Sequence, residues 1–179
     1  MQAADVITFW FETIEPKQWW VKDTKFDQHI AQNFGGLHRA VVAAECSSWR
    51  ADAEGSLAEI IVLDQFSRNM FRDTAQAFAY DPMALALAQV AIEKGFDQSL
   101  PPVQRSFLYM PFMHSESAKI HQEAVVLFES LGNESNFDFE LKHKAIIDRF
   151  GRYPHRNTVL GRESTEEELE FLKQAGSSF

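Results

Sequence analysis

The chain has 179 residues, of which 45% are hydrophobic and 24% charged, a balance that fits one soluble globular domain able to bury its own core. Its formal net charge of -9 argues against nucleic acid and against an anionic membrane surface as partners, because both are bound by basic faces. The single cysteine, Cys46, excludes an intramolecular disulfide, and the apolar run around Ile7 to Phe11 is too short for a signal or a span, so a cytoplasmic location is expected.

Asp5 is read as the cap of a short first helix, VITFWFE, which Pro16 ends or redirects. Thr24 starts a second helical pattern, with Phe26, Ile30, Phe34, Leu37 and Val41 at spacings of three or four and Gly35 and Gly36 inside it. The aromatic residues of both segments read as core. The segment ADAEGSLAEIIVLDQFSRNMFR sets Leu57, Ile60 and Ile61 in an apolar stripe, and the same face continued reaches Asp64 and Arg68. A charge carried toward a core is costly unless paired, so these two are expected to pair or to face a cavity. The plainer alternative is an i,i+4 salt bridge on a solvated face.

Asp81 followed by Pro82 has the pattern of a capped helix start, and Gly95 closes that helix. Pro101 and Pro102 open an almost wholly apolar segment that Pro111 kinks or ends. Ser115 is read as the cap of a sixth helix with Ile120, Ala124, Leu127 and Phe128, and a seventh runs from about Asp138 to Phe150, with Phe139, His143, Ile146, Ile147 and Phe150 facing inward. Ser164 and Glu167 form a capping box for the last helix. No stretch alternates as a strand, so one all-α domain spanning 1–179, with about seven or eight helices on short connections, is expected.

Between the last two helices lies FGRYPHRNTVLGR. Four of the nine arginines fall between Arg149 and Arg162, interleaved with Gly151, Pro154, His155, Asn157 and Gly161. Glycine and proline break helices, so this is a shaped loop of cationic and hydrogen-bonding groups. Such a loop either holds an anion or knits a structure together.

The pieces VITFWF, LDQFSRNMFR with AFAYDPMALALA, YMPFMHSE and FGRYPHRNTVLGRESTEEE together resemble a bacterial family known only as a domain of unknown function. The resemblance runs in order over nearly the whole chain. It implies a tetratricopeptide-like fold of antiparallel helical hairpins packed into one compact domain. It also implies recurrent polar positions at Asp64, Arg68, Asn69, Arg72, His114, Glu116, Arg152, His155, Arg156, Asn157 and Arg162, with no catalytic role attached to any.

Four functions are compatible with these residues. In the first, Arg68, Arg152 and Arg156 hold a small phosphate- or carboxylate-bearing ligand, because a guanidinium binds such groups bidentately. Asn69 and Asn157 then orient it, with Asp64, Arg72 and Arg162 completing the binding set. In the second, the chain is an enzyme with His114 or His155 as general acid or base and Glu116 orienting one of them. In the third it is a peptide- or protein-interaction module of tetratricopeptide type. In the fourth, Asp64, Asp148, Glu116 and the arginines form a structural ion network. No cofactor motif is present and no metal is expected: His114 and His121, seven apart, are separated by roughly 10.5 Å of helical rise, too far to share one ion.

Overall fold

The computed structural model describes residues 1–178, and among these residues every regular element is a helix or helical turn. The chain divides into two compact units, one of Met1–Arg72 with Gln76–Pro111, the other of Asp73–Ala75 with the chain from Phe112 onward. No helix among the described residues is long and apolar enough to cross a membrane.

The first unit opens with α1 (Ala3–Thr8), which continues as a wide π turn over Phe9–Thr13. Asp5 lies inside α1, not at its cap, and its carboxylate accepts the Gln2 amide hydrogen at 2.6 Å. Next comes α2 (Thr24–Val42), capped by Asp23, whose carboxylate accepts from the amides of Lys25 and Phe26. A single helical run follows as α3 (Ala53–Ile61), a second π turn (Val62–Phe66) and α4 (Ser67–Met70). α1 and α5 (Asp81–Glu93) both pack on α3, and α2 packs on α4. The core is aromatic: Trp10 is fully buried and meets Phe66 and Phe107 edge-on at 5.6 and 5.8 Å, a geometry that adds to simple area burial. α6 (Pro102–Met113) carries Pro111 within its last turn and does not end there.

The second unit pairs α7 (Ala118–Ser130) with α8 (Glu134–Phe150) as a hairpin turned at Gly132, whose φ of 66° suits glycine. Ser117, not Ser115, precedes α7, and α8 starts earlier than the periodicity indicates because Asn133 accepts from the Asn136 amide. Ile146, Ile147 and Tyr153 form one buried cluster in it, with Phe150 and Phe171 packed against them. Phe139 is 47% exposed, contrary to its expected inward face, and the Lys142 ammonium lies 5.1 Å over its ring. α9 (Glu166–Phe171) is capped one residue later than the Ser164 frame: Thr165 and Glu168 exchange the capping-box bonds.

Candidate functional site

The motif around Asp64 and Arg68 belongs to the first unit. Asp64 is 1% exposed, and Arg68 reaches its Oδ1 at 3.0 Å and the Asp81 carboxylate with both terminal nitrogens at 2.8 and 2.9 Å. The expected Asp64–Arg68 pairing is therefore present. Asp81, read as a helix cap, spends its carboxylate on Arg68, while Tyr80 occupies the cap position. Asn69 and Arg72 both donate to Asp27 from the first turn of α2, Arg72 bidentately at 2.6 and 2.8 Å. Bidentate guanidinium–carboxylate pairs fix orientation as well as charge, so this motif ties α4 to α2 and to the start of α5.

The other two motifs belong to the second unit, where they are stitched together. Gly151, at φ 68°, ends α8 in the left-handed conformation, and Pro154 starts a 3-10 turn over Pro154–Arg156. Glu116 is the fastening point. It accepts the Tyr153 amide at 2.6 Å and the Arg162 guanidinium at 2.6 and 2.9 Å. Burial pushes the Glu116 carboxyl up, but Arg162, the Tyr153 amide and the charge of Arg156 outweigh it and leave it below the usual carboxylate range. Arg152 is bidentate on Glu168 at 2.7 and 2.8 Å and holds that carboxyl down to about 2, against burial and with help from the Thr165 amide and Asn157. Asn157 is 1% exposed; it donates to Ser164 and Glu168 and accepts from Arg162. Asp148 lies outside this network and pairs with Lys144. Glu116→Gln is expected to lower stability by about 2 kcal/mol, the worth of hydrogen bonds to a charged group, read by urea unfolding at neutral pH.

Beneath the stitching sits a cluster that the sequence left in pieces. Tyr153 is fully buried, and four of the chain's six histidines surround it directly or one ring removed. His121, His143 and His155 have ring centroids 6.3, 5.8 and 5.6 Å from that of Tyr153, and His114 lies 6.5 Å from His143. The Arg156 guanidinium stands 4.5 Å over the Tyr153 ring and donates to the His114 carbonyl at 3.1 Å. His121 meets the fully buried Glu140 at 2.7 Å. His143 donates from Nδ1 to the Phe139 carbonyl, and its burial pushes the imidazole down to about 3. His114 and His155 are only half-buried.

Of the residues singled out from sequence, His114, Glu116, Arg152, His155, Arg156, Asn157 and Arg162 thus share the second unit. Asp64, Arg68, Asn69 and Arg72 share the first. Sequence reasoning missed Tyr153, Glu140 and Glu168. Only Glu168 had a local signal, since Thr165 and Glu168 form a capping frame one residue from the Ser164 frame that was read.

Fold and site define an all-helical protein whose polar motifs are ion-paired within their own units, with a buried histidine–tyrosine cluster in the second. The chain belongs to a family described as bacterial protein of unknown function (DUF924), whose model matches residues 6–176. It is also similar to a solved structure titled as a protein of unknown function, ATU0120, from Agrobacterium tumefaciens, at 41% identity over 96% of each chain and a TM-score of 0.91. No functionally curated protein matches the chain.

Proposed function

We propose that this protein binds a small anionic ligand, phosphate- or carboxylate-bearing, through the second unit, with His114 and His155 in contact with it and Arg156 supplying charge behind them. The observation that carries the reading is the gathering of four histidines and Arg156 about Tyr153. Imidazole and guanidinium N–H groups donate to anions, and half-buried donors held by rigid neighbours lose little freedom on binding. Arg152 and Arg162, with their own bidentate carboxylates, act in this reading as clamps on the loop. The Asp64–Arg72 motif plays the equivalent part in the first unit.

Titration calorimetry with inorganic phosphate, citrate and a short peptide with a free C-terminus tests the proposal. The peptide arm also tests the tetratricopeptide-type alternative. Saturable binding of phosphate or citrate is expected, weakened at least tenfold in a His114→Gln/His155→Gln variant whose melting temperature stays within a few degrees of the parent. Binding of the peptide alone would favour the interaction module. No binding by any of the three, or binding indifferent to both histidines, would overturn the anion reading.

A further inference from the structure

Four aromatic rings from the start of the chain meet on one residue of α6. Phe107 is 1% exposed, and Trp10, Phe11, Trp19 and Trp20 pack on it with ring centroids 5.8, 5.5, 5.0 and 5.9 Å away. Trp10 and Phe11 belong to the π turn Phe9–Thr13. Trp19 ends the 3-10 turn Pro16–Trp19, and its indole N–H donates to the Trp10 carbonyl at 2.9 Å. Trp20 is held differently. Its ring lies nearly parallel to that of Phe107, at 15°, yet the residue is 61% exposed, and Val21 beside it is 56% exposed. One face of Phe107 is thus covered by an indole that is itself mostly in water. Of the four rings it is the easiest to displace, because its displacement gives up the least buried area.

The same neighbourhood holds two polar atoms with nothing to bond. Trp10 is fully buried, and its Nε1 has no acceptor among the described residues. Gln104 Oε1 is buried with no donor among them. Gln104 and Phe107 stand three apart on α6 and so share a face. An indole N–H only donates and an amide oxygen only accepts, so each could satisfy the other, but the two do not meet. Buried polar groups are ordinarily paired, and a bare one is costly. Together they mark a place for a group that offers an acceptor and a donor side by side, as a carboxamide does. A charged group fits poorly, since neither atom carries a charge to pair with it and a buried unpaired ion is costlier still.

We infer that the Phe107 face beneath Trp20 is a binding site for an uncharged flat ring carrying a carboxamide, with Trp20 as its displaceable cover. The ligand ring takes the place of the Trp20 indole on Phe107, its carbonyl accepts from Trp10 Nε1, and its amide N–H donates to Gln104 Oε1. Every residue of this site lies in the first unit, so the inference neither uses nor requires the anion reading of the second.

The test is a titration with benzamide followed by the indole N–H resonances of the four tryptophans, with benzoate as the charged counterpart of similar shape. Saturable binding of benzamide is expected, with the Trp10 and Trp20 signals moving and that of Trp49 staying in place. Benzoate is expected to bind about tenfold more weakly or worse. Trp20→Ala removes the cover and is expected to bind benzamide about tenfold more tightly, because a site that is mostly closed loses affinity in proportion to its open fraction. Gln104→Leu removes the acceptor and is expected to bind about tenfold more weakly. Its melting temperature should be no lower than the parent's, since Oε1 has no partner to lose. Absence of saturable binding in both the parent and Trp20→Ala is the result expected if the two polar atoms merely share a trapped water, and it overturns the site. Equal binding of benzoate, an unmoved Trp10 resonance, or undiminished binding by Gln104→Leu contradicts the assigned ligand class. Weaker binding by Trp20→Ala contradicts the cover.

Discussion

Gly55→Ala is expected to cost the protein roughly 3–5 kcal/mol, the upper range for one substitution. Gly55 stands near the start of α3, where its amide donates to the capping Asp52 carboxylate at 2.8 Å. A Cβ added there would fall 2.0 Å from the Trp49 carbonyl oxygen and 2.9 Å from its carbon. Both atoms are backbone, in the 3-10 turn Ser47–Ala51 that runs into the helix, so no side chain can swing away. The same substitution at the exposed Gly36 within α2 meets only the end of Arg39 at 3.8 Å and is expected to stabilise by about 0.5–1 kcal/mol. Urea unfolding of the two variants should therefore move in opposite directions. Equal effects would mean that helix propensity, and not the approach of Trp49, decides both.

The second large effect is on acid stability, through His143. Burial outweighs the supporting Phe139 carbonyl, and nearby His114, His121 and Arg156 add to it, so the imidazole falls from an ordinary 6.5 to about 3. Between those values the unfolded chain binds a proton that the folded chain refuses. Stability therefore rises with pH across this window. The contribution is complete above 6.5 and is lost as pH falls toward about 3. Each pH step of one between these two values is worth about 1.36 kcal/mol, so the loss amounts to several kcal/mol. Unfolding free energies measured from pH 7.5 to pH 4 should fall steeply for the parent and by about 3 kcal/mol less for His143→Gln. Parallel curves would show that His143 titrates normally in the folded protein.

The helices were legible in the sequence where an apolar period and a terminal residue agreed. Thr24 does begin α2, and Gly95, at φ 73°, does close α5. The period failed where burial is all-round. From Gly55 to Ser67 every residue is buried, so no polar face marks the phase, and the π turn at Val62–Phe66 shifts the register unseen. Caps failed where a distant partner claimed the capping group: Arg68 takes Asp81, and Arg152 adds to the preference for Glu168 over Glu167.

The site was legible as three motifs and not as contacts. Glu116 and Arg162 lie 46 residues apart, and Arg72 and Asp27 45 apart. No local pattern announces such pairs. Tyr153 and Glu140 were invisible for a different reason. A tyrosine in a loop and a glutamate in an ordinary helix acquire their roles only when α7, α8 and the loop bring them to His121. Gly55 likewise carries no cue, because its constraint comes from the backbone of Trp49.

The most direct test of the proposed anion site is a phosphate titration followed by the imidazole nitrogen and carbon resonances of all six histidines, at constant pH and ionic strength. His29, exposed on α2 in the first unit, serves as the internal reference. The account predicts that the His114 and His155 signals move together and saturate while His29 stays in place. Shifts of His29 equal to theirs, or no saturable shift at His114 and His155, would contradict it.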